Sequence, residues 1–512
     1  MNVDESAKIF LKTQTKHDPG TLEKATANTL HDLLRYLPSA AIPAVVGFAS
    51  VAAFSRLLAP TEYGRYILVY TTVLFIHTMF FSWINQSVLR FYTREANRRP
   101  DEFFSTAVFG FLMLAAAVGL VWMTALQLLP FGDARLHAMF YLGPPVLFAY
   151  SGCMLMLGFL RAMRQSLHYS VLISTSALVR LLVALMLIIG FGRQADAILW
   201  GLIAGMLLGA VAGFVTLARR WKPAATLFRR DMLRHWAAYG IPLVGLALTN
   251  MILAASDRYF LGYLLDASAV GIYAAGYRII ETGMTAPVTF LMLATFPMLI
   301  QVYEKEGPAR TRWLMAEMMG LFFLVLTPVL VLCVMLHRQI VDVVLGDAFA
   351  EAAIIVPWIA GGVFLMGLCV YTNKSFELRE KTASLFGLYA LAALLNLLLN
   401  SLLIPQLGMT GAAVATFGAY AAALALSLWR GSRYLAWRLP WRTIRSIIAA
   451  AAAMTAALIL CPQSGRPLVD LVVKAAAGGA IYGIVILIFC RRAAVDMLAM
   501  LRQKRHTAGG AE

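Results

Sequence analysis

The stretch that decides the fold of this chain is residues 313–336, which read WLMAEMMGLFFLVLTPVLVLCVML. It contains a single charged residue, Glu317. An α-helix needs about 20 mainly apolar residues to cross the roughly 30 Å of hydrocarbon in a bilayer. Because this stretch is long enough and almost free of charge, it predicts a membrane-spanning helix.

Similar stretches recur along the whole chain. Hydrophobic residues make up 61% of the sequence and charged residues 13%, whereas soluble domains are about 25% charged. We therefore predict an all-α membrane protein with about 14 transmembrane helices, the thirteenth short and rich in alanine. The predicted spans are 36–57, 66–87, 103–127, 137–159, 168–191, 198–218, 237–256, 269–299, 313–336, 352–371, 384–404, 411–429, 446–461 and 470–490.

Positive charge is divided unevenly between the two sets of loops. If the N-terminus is inside, the predicted cytoplasmic loops and C-terminal tail hold about 28 Lys and Arg and the opposite loops about 8, as the positive-inside rule requires. Miscounting by one span would place basic loops on both sides of the membrane, so the uneven division of charge supports an even number of spans. We expect both termini to be cytoplasmic, with residues 1–35 forming an N-terminal tail.

Two loop sequences match without a gap. Residues 56–66 read RLLAPTEYGRY and residues 263–273 read YLLDASAVGIY, so paired Leu, Gly and Tyr positions coincide. Six spans separate the two loops, which predicts parallel six-helix repeats forming two lobes around a central cavity. The predicted organisation is an N-lobe at 36–218, a basic cytoplasmic linker at 219–236, a C-lobe at 237–429, two added helices at 446–490 and a basic cytoplasmic tail at 491–512.

Three motifs carry a resemblance to a known family. Residues 49–66, with their Arg-Leu-Leu-x-Pro-x-Glu-Tyr-Gly-x-Tyr core, resemble the first hairpin of bacterial oligosaccharide-lipid flippases of the Wzx type. These flippases belong to the multidrug/oligosaccharidyl-lipid/polysaccharide exporter superfamily. Residues 257–262, DRYFLG, followed by 270–278, VGIYAAGYR, resemble its second-half signature, and residues 403–413, LIPQLGMTGAA, resemble the hairpin between spans eleven and twelve.

The resemblance implies a secondary transporter in the bacterial inner (cytoplasmic) membrane. Its substrate would be a polyprenyl-pyrophosphate-linked oligosaccharide, flipped by alternating access for surface or exopolysaccharide assembly. Partners would be that lipid-linked oligosaccharide, membrane lipid, and a polysaccharide polymerase or other export machinery. Two alternatives within the superfamily stay open: a flippase for the peptidoglycan precursor and a drug/cation antiporter.

Charged residues inside the predicted spans indicate where a substrate binds. Arg180 lies near the middle of span five, and Arg278 and Glu281 lie three residues apart within span eight. Ionisable groups at such depth usually face a polar cavity, and guanidinium groups match phosphate oxygens. We predict that Arg180 and Arg278 bind the anionic headgroup, together with Tyr277, which precedes Arg278 in the resembling motif. Alternatively, Arg278 and Glu281 neutralise each other and hold helices together.

Glu281 and Asp257 are the predicted sites for a coupling cation or proton. Both are carboxylates within or beside a span, where an ion could change their charge. Asp257 lies near the outer end of span seven, so simple solvation is the alternative.

Several classes of function are disfavoured by what the sequence lacks. It contains no G-x-x-x-x-G-K-[ST] phosphate loop and no G-x-S-x-G or H-E-x-x-H motif, so we expect neither ATP as fuel nor enzymatic activity. The alternative from another class, a membrane polysaccharide polymerase or ligase, would need a large outer loop. The five cysteines form no C-x-x-C pair, so neither metal nor cofactor is expected. The net charge of +17 is spread over many short loops, so we expect no nucleic-acid partner.

Overall fold

The computed structural model describes residues 39–489, except 97, 129–131, 193 and 436–438, and all regular elements in these residues are helical. The predicted N-terminal tail at 1–35 and the basic tail at 491–512 therefore lie outside the described residues. Four of the cysteines are described, and all four are free thiols.

Fourteen helical segments correspond to the fourteen predicted spans. The first six are α1 (Ser39–Leu57), α2 (Pro60–Phe80 continued after a 45° bend by Ser82–Ala96), α3 (Pro100–Leu128), α4 (Ala134–Ala162), α5 (Ser166–Phe191) and α6 (Asp196–Ala218). The others are α7 (Arg230–Leu264), α8 and α9 (the two parts of Ala267–Met335), α10 (Val356–Glu377), α11 (Thr382–Leu407), α12 (Met409–Gly431), α13 (Trp441–Leu460) and α14 (Pro467–Phe489).

Length and composition support the membrane assignment. Twelve helices in the described part of the chain are individually long and apolar enough to cross a bilayer, and the bent α2 adds a thirteenth. With α8, the arrangement amounts to about fourteen spans. The predicted class, an all-α multi-pass membrane protein, is confirmed.

The predicted connection at 300–312 contains the break between two helices, but it is mostly helical and not an extended loop. Ala267–Met335 is interrupted only at Gly307, whose φ of 79° and ψ of −176° end α8 at residue 306. Residues 301–306, QVYEKE, contain strong helix formers, which lets α8 extend beyond its apolar part. Pro308 then opens α9 at a position where its missing N–H costs nothing.

The long helix α7 connects the two lobes. It begins at Arg230, seven residues before the predicted boundary at 237. The Trp236 indole N–H donates to Glu95 in the N-lobe at 3.0 Å, and the Trp236 carbonyl accepts from Ser87 at 3.0 Å. Because Trp236 is fully buried, the first turns of α7 are held on the N-lobe.

The two matching loops contact each other where the lobes meet. A Cβ on Gly64 would lie 1.7 Å from the Ala267 carbonyl oxygen, and a Cβ on Gly271 would lie 2.1 Å from the Pro60 carbonyl oxygen. Only glycine permits so close an approach of two backbones. We call this end of the bundle, with the α1–α2, α3–α4, α5–α6 and α7–α8 connections, the hairpin end. The lobes are closed against each other there.

An ionic network joins three connections of the N-lobe at the hairpin end. Arg65 pairs with Asp133 at 2.8 Å and with Glu62 at 2.5 Å, while Arg135 pairs with Asp196 at 3.0 Å. Burial raises the pKa of Asp133, but hydrogen bonds from the backbone N–H of Leu136 and from Arg65 outweigh it, so the pKa is lowered. The network fixes the N-lobe connections relative to one another.

Candidate ligand cavity between the lobes

A cavity of about 270 Å³ lies between the two lobes, next to the closed hairpin end. Helices α1, α2, α5 and α6 line it from the N-lobe, and α7 and α8 line it from the C-lobe. Its polar lining side chains are Ser50, Tyr63, Tyr66, Tyr70, Thr71, Arg180, Arg258, Arg278 and Glu281. Polar groups from both lobes thus meet at one place inside an apolar bundle.

Arg180 is held at the cavity by the packing of α5 on α6. A Cβ on Gly205 of α6 would lie 2.9 Å from the Arg180 Cβ, so the two helices touch through a glycine at this level. Gly201, Gly205, Gly209 and Gly213 recur every four residues and form a stripe of small residues along α6, as in close helix pairs in membranes. Within the described residues, no carboxylate lies within ion-pair distance of Arg180, which leaves its charge available to a ligand.

Arg278 and Glu281 form an ion pair on the cavity wall. The Arg278 Nη1–H donates to Glu281 Oε2 at 2.9 Å, as their spacing of three residues on α8 allows. The Arg278 side chain is 57% exposed and that of Glu281 28% exposed. The two residues therefore pair within α8 and line the cavity, and this pair does not itself join two helices.

Arg258 of α7 lines the cavity, and neighbouring groups in the cavity wall hold its guanidinium in place. Its guanidinium donates to Asp257 at 3.0 Å and to the Ala254 carbonyl, and it lies 4.9 Å from the centre of the Tyr277 ring. Asp257 is 1% exposed and accepts a second hydrogen bond from the Tyr273 hydroxyl at 2.5 Å. Asp257 is thus buried in the wall, and the solvated alternative is wrong.

A layer of uncharged polar groups joins α7 to α11 beside Asp257. The Ser256 hydroxyl donates to the Asn396 side-chain oxygen at 2.9 Å, and the Asn400 amide donates to the same oxygen at 3.1 Å. These hydrogen bonds hold α7 and α11 together next to the Asp257–Arg258 pair.

The charges around the cavity leave an excess of positive charge. Three guanidinium groups, on Arg180, Arg258 and Arg278, face two carboxylates, on Glu281 and Asp257, which leaves one net positive charge. An anion entering the cavity would find guanidinium groups on both lobes. The arrangement is therefore suited to bind a diphosphate or another compact anion.

The structure brings together most of the residues predicted from the sequence. Arg180, Arg278 and Glu281 all line the cavity. Tyr277 and Asp257 do not line it directly; they support Arg258 from behind. Arg258 lines the cavity but was not among the predicted site residues, although it stands beside Asp257 in the DRYFLG motif.

The sequence repeat extends beyond the two matching loops. The offset of 207 residues that relates Tyr66 to Tyr273 continues along both helix pairs. It matches the C-lobe residues Asp257, Arg258, Tyr277, Arg278 and Glu281 to the N-lobe residues Ser50, Val51, Tyr70, Thr71 and Leu74. All five of these N-lobe residues line the cavity, and so do Arg258, Arg278 and Glu281 of the C-lobe. The cavity is thus built from equivalent positions of both repeats, and the charges of these positions lie on the C-lobe.

Comparison with solved structures identifies the fold. The lipid II flippase MurJ in an inward closed conformation superposes with a TM-score of 0.77 at 13% identity, over 90% of this chain and 99% of that protein. An inward-facing multidrug resistance MATE transporter superposes with a TM-score of 0.64 at 12% identity, over 78% of this chain and 98% of that protein. At such low identity, the similarity shows a shared fold.

Comparison of sequences identifies the family. The probable low-salt glycan biosynthesis flippase Agl15 of Haloferax volcanii is 23% identical over 270 residues, which are 52% of this chain and 56% of that relative. The chain therefore spans about half the length of the curated relative that it matches. The polysaccharide biosynthesis protein family matches residues 35–303. Since this match covers more than half of the chain, the protein belongs to the polysaccharide biosynthesis protein family.

Proposed function

We propose that the protein is a secondary transporter that flips a polyprenyl-diphosphate-linked oligosaccharide across the bacterial inner membrane for assembly of surface polysaccharide or exopolysaccharide. The observation that carries this proposal is the convergence of Arg180 and Arg278, from opposite lobes, on one cavity. A diphosphate is costly to move through hydrocarbon, and the guanidinium groups replace the water that it leaves behind. The prenyl chain remains in the bilayer.

Transport requires that the cavity open to each side in turn. We propose that the hairpin end faces the outside of the cell, because the loops at the opposite end carry most of the Lys and Arg. The contact between Gly64 and Gly271 then closes the outer exit. Rocking of the lobes apart at this contact would expose the cavity to the outer leaflet.

We assign ion coupling to Glu281 and Asp257. Each carboxylate is paired with a guanidinium of the cavity wall, Arg278 and Arg258 respectively. Binding of a proton or cation at either carboxylate would therefore raise the net charge of the cavity by one unit and change its affinity for an anion. Tyr277 supports the Arg258 guanidinium through its ring face, so we assign it an indirect part in substrate binding.

The alternatives differ in what the cavity must bind. A peptidoglycan-precursor flippase would use the same diphosphate chemistry, and only the identity of the glycan separates it from our proposal. A drug/cation antiporter needs acidic groups for its substrate, whereas three arginines line this cavity. A polymerase or ligase needs a large catalytic loop, whereas the longest connections between the described spans are 219–229 and 336–355, and the second contains the short helix His337–Val344.

The test replaces Arg180 and Arg278 by alanine, singly and together, and measures export of lipid-linked glycan in cells. We expect each single variant to lower export about tenfold and the double variant to abolish it, since each lost charge-assisted hydrogen bond is worth about 1.5–3 kcal/mol.

Arg310 provides the matched control for this test. It forms an ion pair with Glu306 at 3.4 Å, is 53% exposed and does not line the cavity. Arg310→Ala should export normally. Normal export by the Arg180→Ala/Arg278→Ala double variant would remove both residues from the mechanism.

A further inference from the structure

We propose that Tyr66 and Tyr70 on α2 form a binding site for the sugar rings of the transported lipid, beside the arginines that bind its diphosphate. This inference rests on the proposed function and adds that different side chains of the cavity bind the diphosphate and the sugar. Arg180 and Arg278 bind the diphosphate, and the tyrosines of α2 bind the glycan.

The two tyrosine rings form an ordered pair in the cavity wall. Their centroids lie 5.7 Å apart, and their planes differ by 14°. Both residues line the cavity and are half-buried, so part of each side chain stays accessible to a ligand. Tyr63, one turn earlier on the same face of α2, packs at 5.7 Å from Tyr66 at a steeper angle and limits its movement. A pre-ordered surface of this kind loses little conformational entropy when a ligand binds.

The equivalent tyrosines of the C-lobe have a different role. Tyr273 and Tyr277 occupy the positions of Tyr66 and Tyr70 in the repeat. They are 0% and 2% exposed, and they hold Asp257 and Arg258 respectively. Their polar contacts are therefore within the protein. Within the described residues, no hydrogen bond is made by the hydroxyls of Tyr66 and Tyr70, so these hydroxyls remain available to a ligand.

The chemistry of tyrosine fits a sugar better than a phosphate. A pyranose ring has C–H groups that pack on an aromatic face, and it has hydroxyls that exchange hydrogen bonds with a phenol. An anion gains little from the negatively charged face of an aromatic ring. The uncharged neighbours Ser50 and Thr71 also line this wall, and they add hydroxyls suited to a polyhydroxylated ligand.

The position of the tyrosines matches the covalent order of such a lipid. The first sugar is bonded directly to the diphosphate, so the two groups must bind next to each other. Tyr66, Tyr70, Arg180 and Arg278 all line one cavity of about 270 Å³. A diphosphate between the two arginines therefore places the first sugar within reach of α2.

The test compares two diphosphate diesters of equal charge, methyl farnesyl diphosphate and farnesyl-diphosphate-linked N-acetylglucosamine, which differ in having a methyl group or a sugar on the terminal phosphate. Binding of each probe is measured on the purified full-length protein. We expect the sugar-bearing probe to bind the wild type about tenfold more tightly. Combining Tyr66→Ala with Tyr70→Ala should remove this preference while binding of methyl farnesyl diphosphate persists. Combining Tyr66→Phe with Tyr70→Phe should reduce the preference about threefold, because the rings remain and the hydroxyls are lost.

The controls separate this inference from the proposed function. Tyr263→Ala removes a tyrosine that is 88% exposed and lies outside the cavity, and it should keep the full preference. If the wild type binds neither probe, the proposed function fails. If it binds both equally, or if the alanine pair keeps the tenfold preference, the inference fails and the function stands. If the double alanine variant binds neither probe, the double phenylalanine variant provides the test instead. A full tenfold preference in that variant would contradict the role of the hydroxyls.

Discussion

The two hairpins α1–α2 and α7–α8 share a framework and differ in charge. Both have glycine where their backbones meet, at Gly64 and Gly271, and both have tyrosines at matching positions on the second helix. At the cavity, however, Thr71 and Leu74 of the first hairpin correspond to Arg278 and Glu281 of the second. The glycines that allow the backbones to meet are alike in the two repeats, whereas the charged positions at the cavity differ between them.

The comparison shows how one scaffold provides an asymmetric site. A diphosphate-linked sugar has a charged end and an uncharged end, so a symmetric cavity would suit only one of them. In this protein, the second hairpin supplies charge and the first supplies aromatic rings and hydroxyls. The exchange of individual residues between the two repeats tests this division.

The largest effect should follow from breaking the feature that the hairpins share. Gly64→Ala or Gly271→Ala places a methyl group within about 2 Å of a carbonyl oxygen of the opposite lobe, at 1.7 Å and 2.1 Å respectively. We expect either variant to abolish glycan export and to open the hairpin end, because backbone cannot move aside as a flexible side chain can. Labelling of Ser55→Cys, at a residue that is 2% exposed at this end, would report the opening.

Gly283→Ala is the control for these two variants. Gly283 lies in the same helix as Gly271, and an added Cβ would meet nothing within 4 Å. Export should be unchanged or slightly improved, since alanine favours the helix. Normal export and unchanged labelling in Gly64→Ala would contradict the closure at this contact.

A smaller effect should follow from giving the second hairpin the residue of the first. Arg278→Thr copies Thr71 and removes a guanidinium from the cavity. We expect binding of farnesyl diphosphate to weaken about 30-fold, because a charge-assisted hydrogen bond is lost. Arg310→Thr, outside the cavity, is the matched control. Equal binding by Arg278→Thr and the wild type would mean that the ion pair with Glu281 serves packing alone.

Binding should become tighter, not weaker, when the carboxylate of Glu281 is replaced by the residue of the first hairpin. Glu281→Leu copies Leu74 and frees Arg278 from its partner at 2.9 Å. Because such exposed pairs are worth at most about 1 kcal/mol, binding of farnesyl diphosphate should tighten only about threefold. Weaker binding by Glu281→Leu would contradict the competition between Glu281 and the anion for Arg278.

The smallest effect concerns the hairpin end, where the N-lobe has an ionic network. Asp133 has a lowered pKa through its hydrogen bonds to the Leu136 backbone and Arg65. Its contribution to stability is therefore present above the ordinary aspartate pKa near 4 and is lost as pH falls through the lower pKa of the folded protein. Asp133→Asn should cost less than about 1 kcal/mol at pH 7 and nothing in strong acid. Thermal unfolding at both pH values measures this, and an equal cost at both would contradict it.

The fold was predictable because each span carries its own signal. An apolar run of about 20 residues identifies a membrane helix without reference to its neighbours, so a described helical segment lies at each predicted span. The connection predicted at 300–312 is mostly helical because helix formers such as Glu304 and Lys305 continue α8 past its apolar part until Gly307 ends it. Hydropathy does not report helical structure outside the hydrocarbon.

The site was predictable in part. Arg180 and Arg278 were identified because charge deep in a span is rare. Asp257 is buried because α7 is rotated so that this residue meets Tyr273 of α8. The hydropathy of a single helix does not indicate how that helix is rotated against its neighbour. Arg258 was missed for the same reason, since an arginine near the end of a span usually reaches water. Extending the repeat register beyond the loops would have matched Tyr66 and Tyr70 to Tyr273 and Tyr277.

The central claim is that arginines from opposite lobes jointly bind an anionic lipid headgroup. Its most direct test is equilibrium binding of farnesyl diphosphate, with farnesol as the uncharged reference, to the purified wild type and to the Arg180→Ala/Arg278→Ala variant. We predict that the wild type prefers the diphosphate over farnesol by at least about 100-fold and that the double variant loses this preference. An equal preference in both proteins would contradict the account.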